Sequence, residues 1–306
     1  MNHPKKTPLQ EPLENNSTDT PDYFTIFQRN IGFYTQAQQN VLKKSTVLIA
    51  GTGGVGSPCA EILVRMGIGR LILAEFDVFS ISNVNRQIPA TINNVGQHKA
   101  QVLAAHLKGI HPFSEIEVVA EGITVANVDQ LVARSDIVIS AVDSCMFMVL
   151  QQALKRNQKM GLTASPLIDK ITMTAFPPNG YYFSDIYPFE VNEANLQQSN
   201  AEYYAFVEVM SRQKLFEAGY FPVICAGTFT SAGMISYQVA EYLIFNKVFF
   251  PCFPSYALFD ARRIEIKIKF RYLKVVFKIL KTFPILNNRF VKTIRSKVTR
   301  RQLQQP

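Results

Sequence analysis

Gly51, Gly53, Gly54 and Gly56 stand in the run Gly51-Thr-Gly-Gly-Val-Gly56, a G-x-G-x-x-G spacing. Residues without side chains let successive backbone N–H groups face an anion, and a helix that follows adds the partial positive charge of its N-terminus. The chemistry on offer is therefore the holding of a nucleotide phosphate. Glu75 and Asp77 follow at the distance where dinucleotide folds keep a ribose-binding acid. Then come Asn83, Arg86 and Gln87 in Ser82-Asn-Val-Asn-Arg-Gln87, and Lys99 in Gly96-Gln-His-Lys99. The glycine spacing alone serves nicotinamide and flavin dinucleotides as well as it serves ATP. The Arg and the Lys point to a triphosphate, because transfer of adenylate needs cations as charge moves onto departing pyrophosphate.

These residues need a scaffold that returns repeatedly to one edge of a sheet. Residues 46–50 are a short apolar run that reads as a buried parallel strand, and residues 57–66 carry Ala60, Ile62, Leu63 and Met66 at helical spacing. Strand, glycine turn and helix in that order give the motif its meaning. A second strand, 71–74, ends at Glu75, and a helix over 94–110 carries Lys99. A half-buried strand over 115–120 and a short helix over 128–133 lead to a buried strand, 136–142, with Asp143 at its C-terminal end. Open α/β sheets bind ligands at that edge, and a carboxylate there can equally cap the next helix. Helix 146–158 and strand 161–165 follow. Residues 168–176 and 181–183 read as antiparallel strands about Pro177-Pro-Asn-Gly180. Residues 184–222 are long and weakly patterned; segments of that length are functional or disordered. A helix over 228–245 and strands over 255–259 and 262–270 complete the order. The expected fold class is α/β: a Rossmann-like, doubly wound, mostly parallel sheet extended by antiparallel strands, with a basic C-terminal tail.

In these motifs, their order and their spacing, the chain resembles the adenylyltransferases related to ubiquitin-activating enzymes, of the ThiF, MoeB and HesA type that serve thiamine and molybdopterin biosynthesis. The resemblance covers residues 27–270 and rests on Arg29-Asn-Ile-Gly32, Gln39, the glycine run through Ser57, Glu75-Phe-Asp77, the two cation motifs and Val142-Asp143. It implies an adenylation domain over 23–270, with a nucleotide half at 46–143 and an acceptor half at 161–260. It gives the four glycines to the phosphate turn and Glu75, where the family usually has Asp, to the ribose hydroxyls. Asp77 orders the following turn, and Asn83, Arg86, Gln87 and Lys99 lie along the phosphates. Asp143 holds Mg²⁺, and Arg29 reaches a nucleotide on a partner subunit, which implies a homodimer. The implied reaction is ATP-dependent adenylation of a carboxylate, that of a ubiquitin-like sulfur carrier or a peptide. The products are an acyl-adenylate and pyrophosphate. After the metal-holding Asp the family places Asn, and Arg a turn later; here stand Ser144 and Met148. The crossover segment that relatives fold over the acceptor, here 184–222, has no cysteine, so no internal thioester is expected, and Cys225 reads as helix packing. Competing readings are a tRNA threonylcarbamoyladenosine dehydratase, a nicotinamide oxidoreductase and a non-catalytic nucleotide-binding scaffold.

Composition sets the bounds. With 306 residues, 47% of them hydrophobic, the chain can bury the core of one α/β domain with appendages. No apolar run reaches the roughly 18 residues of a membrane span, and no apolar stretch follows the N-terminal lysines, so no signal peptide is expected. The four cysteines are far apart with no C-x-x-C, which fits a reduced cytoplasmic setting and cannot build the structural zinc site of part of the family. Residues 1–22 are polar and read as a disordered arm. From Arg262 to Pro306 there are 14 Lys and Arg against Glu265 alone, a net of +13, which leaves the rest of the chain at −4. The basic character therefore belongs to the tail, 271–306. There Tyr272, Val275, Val276, Ile279 and Leu280 oppose Lys274, Lys278 and Lys281 at helical spacing. Such a segment fits an anionic membrane surface, with peripheral attachment, or RNA, an acidic partner, or its own domain.

Overall fold

The computed structural model describes residues 22–167, 170–185, 190–211, 222–260, 265–269 and 292. The expected N-terminal arm (1–22, Asp22 apart) and basic tail (271–306, Lys292 apart) lie outside the described residues. Eight strands form one sheet: β1 (Thr46–Ala50), β2 (Arg70–Ala74), β3 (Glu115–Val119), β4 (Ile137–Ser140), β5 (Met160–Leu167), β6 (Lys170–Phe176), β7 (Tyr256–Asp260) and β8 (Glu265–Lys269). Their order is β3-β2-β1-β4-β5-β6-β7-β8. The first five strands in that order are parallel, and β6, β7 and β8 join antiparallel. The helices are α1 (Tyr23–Ile26), α2 (Gln36–Lys44), α3 (Gly56–Arg65), α4 (Lys99–Ile110), α5 (Val128–Ala133), α6 (Met146–Asn157), α7 (Leu196–Ser211) and α8 (Cys225–Phe245).

Alternation along β1 explains the double winding. Val47 and Ile49 pack with Leu63, Val64, Leu103, Ile235 and Val239, from α3, α4 and α8. Leu48 and Ala50 face the other way, onto Leu131, Val132, Leu150 and Leu154 of α5 and α6. A strand segment buried on both faces must be apolar, and Val-Leu-Ile-Ala, the four buried residues of β1, meets that need. With β2 on one side and β4 on the other, the chain reverses its winding at β1, and the crevice at the C-terminal ends of β1 and β4 is where such folds bind ligands.

Three expectations are corrected. Residues 181–183 are not a strand; Phe183–Asp185 is a 3₁₀ turn. The turn at Pro177 closes, with Gly180 N–H donating to Pro177 O at 2.8 Å. Tyr182 then sinks into the core, its hydroxyl on Pro177 O at 2.9 Å, while the free edge of β6 is taken by β7. The weakly patterned segment contains a 16-residue helix, α7. The helix carrying Lys99 starts at Lys99 itself, after a 3₁₀ turn (Ile92–Asn94) and Gly96 at φ +85°. No helix among the described residues is long and apolar enough to cross a membrane.

Candidate active site

The glycines divide into two kinds. Gly51 has φ +87°, and a Cβ there would lie 2.6 Å from Ala141 O at the end of β4. A Cβ on Gly56 would lie 1.8 Å from Gly51 O. Both positions are closed to a side chain by neighbouring backbone, so they shape the turn. Gly53 and Gly54 instead line its mouth. A Cβ on Gly53 would meet Gln87 Nε2 at 3.6 Å; one on Gly54 would meet Thr228 Cγ2 at 3.0 Å and Arg86 Cδ at 3.4 Å. Arg86, Gln87 and the first turn of α8 therefore surround the glycine turn. Ser57 ties these parts together: its hydroxyl donates to Gly53 O at 2.7 Å and accepts from Ile88 N at 3.1 Å. Neither α3 nor α8 has a side-chain N-cap, so first-turn N–H groups of both helices remain available to an anion.

Glu75, at the end of β2, is 7% exposed. Its Oε2 accepts from Thr52 N at 2.9 Å, and its Oε1 from Phe76 N at 3.0 Å and Asp77 N at 3.1 Å. The carboxylate thus fixes the turn from behind; Oε1 is filled by its two N–H donors, while Oε2 has only a long second contact, Thr52 Oγ1 at 3.4 Å, that a ribose hydroxyl can replace. Lys99 is buried and donates through Nζ to Asp77 Oδ2 at 2.9 Å, while its backbone N–H donates to Asp77 O. Arg86 donates through Nη1 to Ser82 O at 2.9 Å and Asn85 Oδ1 at 2.8 Å. Asn83 is buried and serves its own turn, its Oδ1 accepting from Ser80 N at 3.0 Å. Gln87 is 8% exposed, and its Oε1 has no partner.

Asp143 follows β4 at the same sheet edge. Its carboxylate is open to solvent yet ringed by protein. Burial raises its pKa above the usual carboxylate range, the negative charges of Asp77 and Glu75 add to that, and Lys99 opposes it. Three carboxylates around one lysine leave an excess of negative charge that suits a divalent cation. Mg²⁺ takes one or two carboxylates and completes its shell with phosphate and water, so the residues present fit that ion at Asp143. Among the described residues no group of three His, Cys, Asp or Glu side chains could hold a metal unaided.

Arg29 is not brought to this site on its own chain. It sits in a 3₁₀ turn, exposed, beside Asn30, whose amide donates to Met66 O at 3.2 Å at the C-terminal end of α3. The ten residues of α3, about 15 Å of rise, separate it from the glycine turn. Cys225 is the first residue of α8 and partly exposed; Cys59 and Cys145 are buried, with thiol pKa values pushed up by burial to about 12 and about 11. Sequence reasoning missed Thr228, Asn85 and α7. Asn200 on α7 accepts the backbone N–H of Cys145 at 2.9 Å, and Cys145 and Met148 pack beneath Ala205 of the same helix. Met148 is 2% exposed. The departures after Asp143 thus form an apolar seat for α7.

Comparison with known proteins gives the family and the fold. The ThiF family model matches residues 27–249. The tRNA threonylcarbamoyladenosine dehydratase of Bacillus subtilis is 36% identical over 134 residues, 43% of this chain and 53% of that protein. The SAMP-activating enzyme E1 of Haloferax volcanii is 36% identical over 106 residues, 35% of this chain and 39% of that enzyme. The chain thus spans about half the length of these curated relatives, or less. Escherichia coli MccB, solved with MccA-N7isoASN, superposes with a TM-score of 0.63 over 83% of this chain and 72% of that one at 17% identity, which shows the shared fold. A family match over residues 27–249, most of the chain, leads to one assignment: the chain belongs to the ThiF family.

Proposed function

We propose that this chain uses ATP to adenylate a carboxylate, the C-terminus of a ubiquitin-like sulfur carrier or of a peptide, releasing pyrophosphate. The observation that carries the reading is the meeting of Arg86, Gln87 and Thr228 around the Gly53–Gly54 mouth, with the Asp77–Lys99 pair and Asp143 at the same strand ends. A hydride-transfer site needs no such set of cations. The acceptor carboxylate is already ionised, so no general base is required. One of its oxygens attacks the α-phosphorus, the bond from that phosphorus to the bridging oxygen breaks, and pyrophosphate leaves with the electron pair. The glycine turn holds the phosphates, Glu75 takes the ribose hydroxyls, and Arg86 and Lys99 stabilise charge developing on the leaving group. Mg²⁺ at Asp143, when bound, would neutralise phosphate charge.

Arg29 supports a homodimer in this reading. It is unused by its own site and stands beside exposed Ile31 and Phe33, 37% and 68% accessible. Neighbouring Tyr34 lies near Tyr237 and Glu241 of α8. An apolar surface around an exposed arginine fits a contact between two copies, each completing the other's site. A second reading, threonylcarbamoyladenosine dehydratase chemistry on tRNA, is favoured by the 36% identity to the Bacillus protein of that name. Pyrophosphate release measured with carrier proteins, free-carboxylate peptides and tRNA separates the two. Release driven by a carrier or peptide supports the first, release driven only by tRNA supports the second, and release with none of them overturns both.

A further inference from the structure

Helix α7 belongs to the segment whose pattern is weak in the sequence, yet it touches the candidate metal site at a defined point. Asn200 Oδ1 accepts the N–H of Cys145, two residues past Asp143, at 2.9 Å across 55 residues of chain. The local bond at this helix start is longer, Ser144 Oγ accepting from Met146 N at 3.3 Å, and it leaves the Cys145 N–H to Asn200. One turn further along α7, the Tyr203 ring lies 6.1 Å from that of Phe147. Burial holds its hydroxyl protonated, and negative Asp143 beside it adds to the effect. Cys145 and Met148 pack with Ala205 and lie against Ala201 and Tyr203. Among the described residues, the loop that leaves β4 thus receives from α7 a side-chain hydrogen bond at Cys145 and part of an apolar seat, to which Phe183 and Val191 also contribute.

We propose that Asn200 is a positioning residue: it fixes the Asp143–Cys145 loop, and so ties the placement of the metal-holding carboxylate to the seating of α7. The inference rests on the reading that Asp143 holds Mg²⁺ with ATP. Partners that orient a metal ligand from behind change metal affinity by tenfold or more when removed. With α7 displaced, Asp143 loses its fixed direction while the glycine turn, Glu75 and Lys99 keep theirs, because none of their hydrogen bonds involves α7. Nucleotide binding and metal binding therefore separate in Asn200 variants. The coupling also makes α7 a relay: whatever seats or lifts this helix changes the metal site.

The test uses the full chain with a non-hydrolysable ATP analogue, Mn²⁺ as the probe ion, and four variants. Asn200→Ala is expected to weaken Mn²⁺ binding about tenfold, with the metal-free affinity for the analogue unchanged and faster hydrogen exchange at the Cys145 amide. Asn200→Asp keeps an acceptor oxygen and is expected to stay within about threefold of wild type. Asn200→Ser, too short to reach Cys145, repeats the loss where Ala loosens the helix packing. Asp143→Ala separates the two levels of reasoning. If it abolishes Mn²⁺ binding while Asn200→Ala and Asn200→Ser bind as wild type does, the positioning role is overturned and the metal assignment stands. If Asp143→Ala still binds Mn²⁺ normally, the metal assignment falls, and the role of Asn200 falls with it.

Discussion

Two glycines of one motif are predicted to fail in opposite ways when each becomes alanine. At Gly56 the new methyl would lie 1.8 Å from Gly51 O and 3.1 Å from Ile49 Cγ2. The obstacle is backbone and buried β1 side chain, so relief requires moving the strand–turn junction. Substitutions that overpack or strain a core site typically cost about 1–3 kcal/mol, and with backbone as the obstacle the upper part of that range applies. Each kcal/mol lowers Tm by about 2–4 °C in a domain of this size, so Gly56→Ala should melt about 6–12 °C below wild type. At Gly54 the methyl would meet only Thr228 Cγ2 at 3.0 Å and Arg86 Cδ at 3.4 Å. These are side chains, and small adjustments accommodate it. Gly54→Ala should keep its Tm within about 2 °C and lose at least tenfold in ATP affinity, about 1.4 kcal/mol, because the methyl occupies the approach to the turn. Differential scanning fluorimetry and isothermal titration of ATP read the two effects separately. Wild-type ATP affinity in Gly54→Ala would refute the placement of the phosphates at this mouth. A wild-type Tm in Gly56→Ala would refute the geometry of the turn.

Other consequences follow from packing, charge and chain pairing. His111 is buried among Tyr23, Phe27 and Phe113, and burial lowers its pKa from 6.5 to about 4. Below pH 6.5 the unfolded chain takes up a proton that the folded chain refuses until about pH 4, so stability falls across that window by at most about 1.4 kcal/mol per pH unit. His111→Phe should flatten the Tm profile between pH 6.5 and pH 4 relative to wild type, and identical slopes would contradict the burial. Met148→Arg should destabilise by about 3 kcal/mol or more, since it forces a charge under Ala205; denaturant titration checks this. Arg29→Ala should leave Tm unchanged and abolish acceptor-dependent pyrophosphate release. Mixing it with Asp143→Ala after dissociation and reassembly should recover part of the activity, because one of the two sites in a mixed dimer is intact. No recovery would contradict the contribution of Arg29 in trans.

The parts of the fold that hold the nucleotide half were readable because local pattern and tertiary role coincide there. Residues 47–50 are apolar on both faces since β1 is buried on both faces there, and Gly51 and Gly56 sit where backbone contact forbids side chains. Asp143 lies beyond the same sheet edge as expected, but β4 ends at Ser140, so the strand expected over 136–142 is too long and Asp143 stands three residues past its end. The acceptor half was read less well because its structure depends on distant partners. Residues 181–183 are three aromatics just after a turn signal, a composition that suits a strand, yet the β6 edge they would pair with is occupied by β7, far along the chain. Helix α7 has no continuous apolar stripe; it is held by contacts to Cys145 and Met148 that no local window contains. The role of Asn83 was within reach: Ser80 and Asn83 make a capping pair, and that spacing predicts a turn-ordering residue. Arg29 shows the opposite limit: it is exposed and away from the glycine turn of its own chain, and the role proposed for it in a second copy cannot be read from one chain.

Exchange of labelled pyrophosphate into ATP tests the adenylation reading most directly, because it requires the acyl-adenylate to form and reverse on the protein. Wild type and Asp143→Ala are compared with each candidate acceptor and with none. The account predicts exchange that depends on one carboxylate acceptor, is silent without it, and is lost in Asp143→Ala. Tight ATP binding with no exchange for any acceptor would contradict it and leave a nucleotide-binding scaffold.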